Sequence, residues 1–175
     1  MILWGPPGTG KTTIARLLAD SVGMRYAAVS AVFSGVADLK KAFAEAETAA
    51  KAGQKTLLFV DEIHRFNRAQ QDGFLPFVER GTVTLVGATT ENPSFALNAA
   101  LLSRAQVLIL ERLGHEALGE LLTRAEELER PLPLTEDARA ALIASADGDG
   151  RFLLNQAETL YNAGLDKPLD PARLG

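Results

Sequence analysis

At 175 residues, with 47% hydrophobic and 23% charged side chains, the chain suits one compact domain or one domain with a small satellite, and not a disordered segment. A net charge of −4 and a pI near 5.3 give it no overall attraction for nucleic acid. Disulfides, thiolate metal sites and cysteine nucleophiles are excluded by the absence of cysteine.

The first apolar run, residues 2–4, reads as a strand that leads directly into Gly5-Pro6-Pro7-Gly8-Thr9-Gly10-Lys11-Thr12. That is the phosphate-loop pattern of two glycines, lysine and threonine at fixed spacing. Gly8 and Gly10 let the backbone curl so that successive N–H groups face phosphate oxygens, and the helix expected at 11–22 adds its positive end. Lys11 then reaches the β- and γ-phosphates, and the Thr12 hydroxyl is the expected magnesium ligand. The nucleotide-binding set is Gly5, Pro7, Gly8, Thr9, Gly10, Lys11, Thr12 and Thr13. A glycine-rich turn is the competing reading, but the strand before and the amphipathic helix after supply the context that the motif requires.

Further along, strands are expected at 26–29, 56–61, 83–88 and 106–110, with helices at 36–52 and 67–80. Runs apolar at consecutive positions point to a parallel sheet covered on both faces. Gly73 and Pro76 should break the second of these helices. The strand at 56–61 ends in Asp61-Glu62, two acids aimed into the crevice where a nucleotide sits. Asp61 suits the magnesium shell and Glu62 the attacking water, although such pairs also cap helices. His64 reads as a packing or surface residue rather than as a sensor of the water or of a neighbour. The next strand ends in Thr89-Thr90, whose hydroxyls suit either a γ-phosphate contact or a strand-end turn.

Residues 92–104 read as partly helical and end in Arg104, placed to act as an arginine finger on a neighbour or to sit solvated at the surface. Beyond residue 110 the strand signal stops. Leu118, Leu121, Leu122, Ala125 and Leu128 recur at helical spacing. Arg130-Pro131-Leu132-Pro133 ends that helix, Thr135 starts another, and a third follows Gly148 and Gly150, carrying Arg151 near its start. His115 opens the first of the three and is expected in solvent. The expected fold is therefore α/β: a P-loop core at 1–111 with a five-stranded parallel sheet flanked by helices, then a small, incomplete helical lid domain at 112–175. No signal peptide and no apolar run long enough for a bilayer is read, so no membrane partner is expected and the cytoplasm is the expected compartment.

Together these residues resemble the AAA+ ATPases, and the wording of the chain resembles the replication-associated recombination protein A family. The segment 60–104, VDEIHRFNRAQQDGFLPFVERGTVTLVGATTENPSFALNAALLSR, carries the resemblance, with HRFN, QQD and GATTENPSF as its most specific words. SAVFSGVADLKKAF and GDGRFLLN agree, so the resemblance runs over nearly the whole chain. It implies ATP and Mg2+ as cofactors, with Lys11, Thr12, Asp61 and Glu62 in the roles above. It makes Thr90 the first sensor ahead of Thr89, Arg104 a finger acting in trans, and Arg151 a second sensor that also binds nucleotide. It further implies a homo-oligomeric, DNA-stimulated ATPase of stalled replication forks, nucleoid-associated, acting on forked or single-strand/double-strand junctions. A clamp-loader-like subunit and a Holliday-junction branch-migration subunit are the alternatives. Family members carry a segment before the first strand and a helical oligomerisation region after residue 175, so the chain is expected to be a truncated core.

Overall fold

A computed structural model describes residues 1–163 and 168–171. The strands are β1 (Ile2–Trp4), β2 (Arg25–Ser30), β3 (Thr56–Asp61), β4 (Val83–Thr89) and β5 (Val107–Ile109). They form one parallel sheet in the order β2-β3-β4-β1-β5. Between them run α1 (Lys11–Ser21), α2 (Val36–Lys51), α3 (Arg68–Asp72), α4 (Leu75–Glu79), α5 (Pro93–Ala96) and α6 (Ala99–Leu102). The expected break in the 67–80 helix is present: α3 stops before Gly73, and Pro76 takes an early position in α4, where its missing N–H costs nothing. The strand expected at 106–110 shortens to three residues at the sheet edge.

β3 explains the layering. Its side chains alternate faces, as pleating requires. Leu58 and Val60 join Leu39, Phe43, Phe66, Phe74 and Leu101 in one apolar cluster, whereas Leu57 and Phe59 join Ala15 and Ala19 of α1 in another. Each fully buried large side chain of this kind contributes about 1.5–3 kcal/mol. With both faces covered, β3 has no polar position before Asp61 apart from Thr56 at its start. Parallel pairing brings the C-terminal ends to one edge: Trp4 of β1 lies opposite Thr89 of β4, and Ser30 of β2 opposite Asp61 of β3. Gly87 makes the close strand packing possible, because a Cβ there would come within 2.9 Å of the Ile2 and Ile63 Cδ1 atoms.

The chain divides into two compact units, Met1–Gly5 with Lys11–Leu110, and Pro6–Gly10 with Glu111–Gly175. The second contains α7 (His115–Leu128), α8 (Glu136–Ser145) and α9 (Gly150–Asn162). Leu118, Leu122, Leu132, Leu142, Leu153 and Ala157 form its core. The Thr135 side chain caps α8 by accepting from the Ala138 N–H, and Asp149 caps α9 by accepting from the Phe152 N–H. His115 is exposed. Residues 164–167 and 172–175 of the expected lid lie outside the described residues. Among the described residues, no helix is long and apolar enough to cross a membrane.

Candidate functional site

Gly8 and Gly10 of the 5–12 loop have φ of +69° and +82°, left-handed values that glycine adopts without a Cβ penalty. At Gly8 the space is also taken: a Cβ would fall on the Asp149 carboxylate, while the Gly8 carbonyl accepts the Gly150 N–H at 3.2 Å. The loop tip is thus packed within the second unit, which no local pattern in residues 6–10 announces. Thr9 is buried, and its hydroxyl donates to the Pro6 carbonyl at 3.0 Å, bracing the turn. Pro7 and Thr13 are exposed. Lys11 is buried, with Nζ donating to the Gly5 carbonyl at 2.8 Å. Thr12 follows in the first turn of α1, half-buried.

At the C-terminal end of β3, Asp61 and Glu62 are half-buried. Glu62 has φ 53° and ψ 44°, a left-handed conformation that costs a non-glycine residue about 1–2 kcal/mol. It opens a 3-10 turn at Ile63–Arg65 whose Ile63 is fully buried. The anchor at Ile63 holds the turn, and the turn holds the strained backbone. His64 departs from the surface reading: its side chain is only 5% exposed. Nδ1 lies 2.9 Å from the Thr89 hydroxyl oxygen, and Nε2 lies 3.3 Å from a Glu62 carboxylate oxygen and 3.4 Å from one of Glu91. Thr89 is fully buried and bonded into this group, whereas Thr90 is exposed at the same strand end. The first unit therefore gathers Lys11, Thr12, Asp61, Glu62 and Thr90 on the ends of β1, β3 and β4 or just beyond them, where open parallel sheets bind ligands.

Arg104, at 42% side-chain exposure, is held by groups of its own chain. Nη2 pairs with Glu79 at 2.8 Å, and Nη1 donates to the Ala100 carbonyl and the Ser103 hydroxyl. An ion pair this exposed is worth about 0–1 kcal/mol, so Arg104 can be released cheaply. Arg151 is exposed in the first turn of α9, in the second unit. Gln71 carried no sequence signal beyond its place in QQD. It is 2% exposed, donates to the Phe66 and Ala96 carbonyls at 2.9 and 3.2 Å, and accepts the Asn98 N–H at 2.8 Å.

Thr12 and Asp61 offer oxygen donors only, which suits magnesium, an ion that takes one or two protein ligands and fills its shell with water and phosphate. Among the described residues, no cluster of three or more His, Asp or Glu side chains could hold a metal by itself.

The model of the ATPase family associated with various cellular activities (AAA) matches residues 1–113. The chain belongs to this family. As an AAA ATPase it is 48% identical over 166 residues to replication-associated recombination protein A of Escherichia coli K12, over 91% of this chain and 37% of that protein. It is 47% identical over 167 residues to the ATPase WRNIP1 of Dictyostelium discoideum, over 93% of this chain and 19% of that one. The chain thus spans well under half the length of these relatives. Among solved structures, the Holliday junction branch migration motor RuvB of Thermotoga maritima superposes with a TM-score of 0.74 at 25% identity, over 99% of this chain and 58% of that one. The resemblance to the recombination protein A family and the AAA fold expected from the sequence both hold.

Proposed function

We propose that this AAA ATPase domain hydrolyses ATP by in-line attack of water on the γ-phosphate, and that it works in a homo-oligomer acting on forked or junction DNA during replication-associated recombination. The observation that carries the reading is the convergence at one sheet edge of the Lys11 loop end, Asp61-Glu62 and Thr89-Thr90, in a chain so close to the recombination proteins. In this reading the backbone N–H groups of residues 8–13 cradle the phosphates and Lys11 neutralises the β- and γ-oxygens. Glu62 orients the attacking water and accepts its proton. Thr90 senses the γ-phosphate from the end of β4. Thr12 and Asp61 would hold magnesium, which when bound offsets the charge of the phosphate oxygens. Residues 112–175 serve as a lid carrying Arg151 as the second sensor, and Arg104 leaves Glu79 to complete a neighbour's site. Supporting the homo-oligomer, Arg104 is an exposed cation on a weak tether. In this reading the protein works in the cytoplasm, at the nucleoid.

Calorimetric titration with MgATP and turnover assays test this. Lys11→Ala should abolish binding. Glu62→Gln should keep ATP while turnover falls on the order of 10²–10⁴-fold. In a competent assembly Arg104→Ala should cost on the order of 10³-fold, the scale of an arginine finger. A folded chain that bound no ATP, or a Glu62→Gln protein turning over at the parent rate, would sink the reading. Stimulation by four-way junctions in preference to forked ends would favour a branch-migration motor instead, in line with the RuvB likeness.

A further inference from the structure

Four side chains of α2 line an open groove. Val36, Lys40, Ala44 and Glu47 follow one another at spacings of four, four and three residues, which puts them in a single row along the helix. That row forms one wall of a groove of about 580 Å³, whose other wall is α3 and α4. Phe43 and Phe77, stacked at 3.9 Å, line it as well. Val36 is 54% exposed and Ala44 is exposed, so the apolar part of the row stands in water. Its charges are one cation and one acid. Lys40 and Glu47 lie seven residues apart, about two helical turns or roughly 10 Å. Lys40 has no ion pair among the described residues, and Glu47 has only a loose, exposed one to Arg80 at 3.6 Å.

One cation balanced by one acid gives the groove no net pull on a phosphate backbone, and its apolar walls suit a protein helix instead. The helix that matches is α2 itself. We propose that the α2 groove is a self-association surface, occupied by α2 of a second copy of this chain in an antiparallel, two-fold pair. The charges carry the inference. A two-fold axis beside Ala44, close to the midpoint of positions 40 and 47, sets Lys40 of each chain against Glu47 of its copy, so both ion pairs form at once. Ala44 at the axis is small, which lets the two helices approach closely. Position 51 of the copy then falls opposite Val36, where the aliphatic stem of Lys51 covers it. Because both chains use the same patch, the contact closes at two copies. A neighbour reached by Arg104 is met head to tail through different surfaces, so the two contacts do not depend on each other. A contact confined to one groove is small, and the pair is accordingly weak and reversible.

Sedimentation of the chain over a concentration series, without nucleotide, tests this. The parent should dimerise at concentrations up to about 100 µM. Lys40→Glu or Glu47→Lys alone turns both ion pairs into like-charge contacts and should weaken the dimer about tenfold or more. Mixing the two single variants restores opposite charges at both positions. The mixed pair should therefore form within about threefold of the parent affinity, and the doubly substituted chain should do the same. Ala44→Cys supplies the only thiol of a cysteine-free chain, and mild oxidation should link two copies through it. A parent that stays monomeric at about 100 µM would overturn the proposal. Parent-strength association in both single variants would place the contact on another face and sink it. So would mixed variants that bind each other no better than themselves, or an Ala44→Cys dimer whose thiols stay free.

Discussion

Gln71 joins segments far apart in the chain, with partners at Phe66 on one side and at Ala96 and Asn98, 25 and 27 residues away, on the other. Its neighbour Asp72 accepts from the Asn98 side chain at 2.7 Å, so HRFN and QQD meet the residues just after GATTENPSF in one hydrogen-bonded patch. Because Gln71 is buried, truncation takes this partner from two carbonyls and an amide, the Phe66 carbonyl in a buried bond and the other two groups in part-buried ones. Gln71→Ala should therefore lower the unfolding free energy by about 2–3 kcal/mol, the cost of orphaned buried polar groups. A denaturant midpoint unchanged from the parent would show that water takes over all three bonds. Exposed pairs such as Arg80 with Glu47 should matter far less when removed.

α2 is anchored by Leu39, Phe43 and Ala46, and Phe43 is the aromatic one. Phe43 stacks on Phe77 with centroids 3.9 Å apart and meets Phe74 edge-on at 5.5 Å, joining α2 to the pieces of the broken helix. Phe43→Ala should cost about 3–5 kcal/mol, at the upper end for a core aromatic, because two rings lose contact at once. Thermal or urea unfolding would measure it, and a loss below about 1 kcal/mol would mean that the site collapses around the gap. Elements of this kind were legible in the chain. The phosphate loop, the apolar run into Asp61-Glu62, the break at Gly73 and Pro76 and the Thr135 cap each rest on residues adjacent in sequence. His64, Gln71 and the Gly8–Asp149 contact were not, because each depends on partners brought close only by the fold. His64 read as a packing or surface residue since its neighbours Glu62 and Arg65 say nothing of Thr89 or Glu91. The edge strand β5 is bounded at Val107–Ile109, and the flanking Gln106 and Leu110 of the expected 106–110 run still bond to Ile2 and Trp4 of β1.

For the whole molecule, the acidic balance argues that any grip on DNA comes from a local surface or from parts of a longer protein, not from the net field of these residues. Stability too is a whole-molecule quantity, and Glu62 bears on it directly. In the role proposed for Glu62, a side chain kept at a left-handed position weakens the fold that carries it, so activity and robustness pull in opposite directions there. Glycine adopts that backbone freely, and relief of about 1 kcal/mol should raise the melting temperature by roughly 2–4 °C in a chain of this size. Glu62→Gly should thus be inactive and harder to melt than its parent, a trade that Glu62→Gln, with its Cβ intact, cannot make. A glycine variant that melted at or below the parent temperature would mean that the turn prefers this geometry whatever residue occupies it.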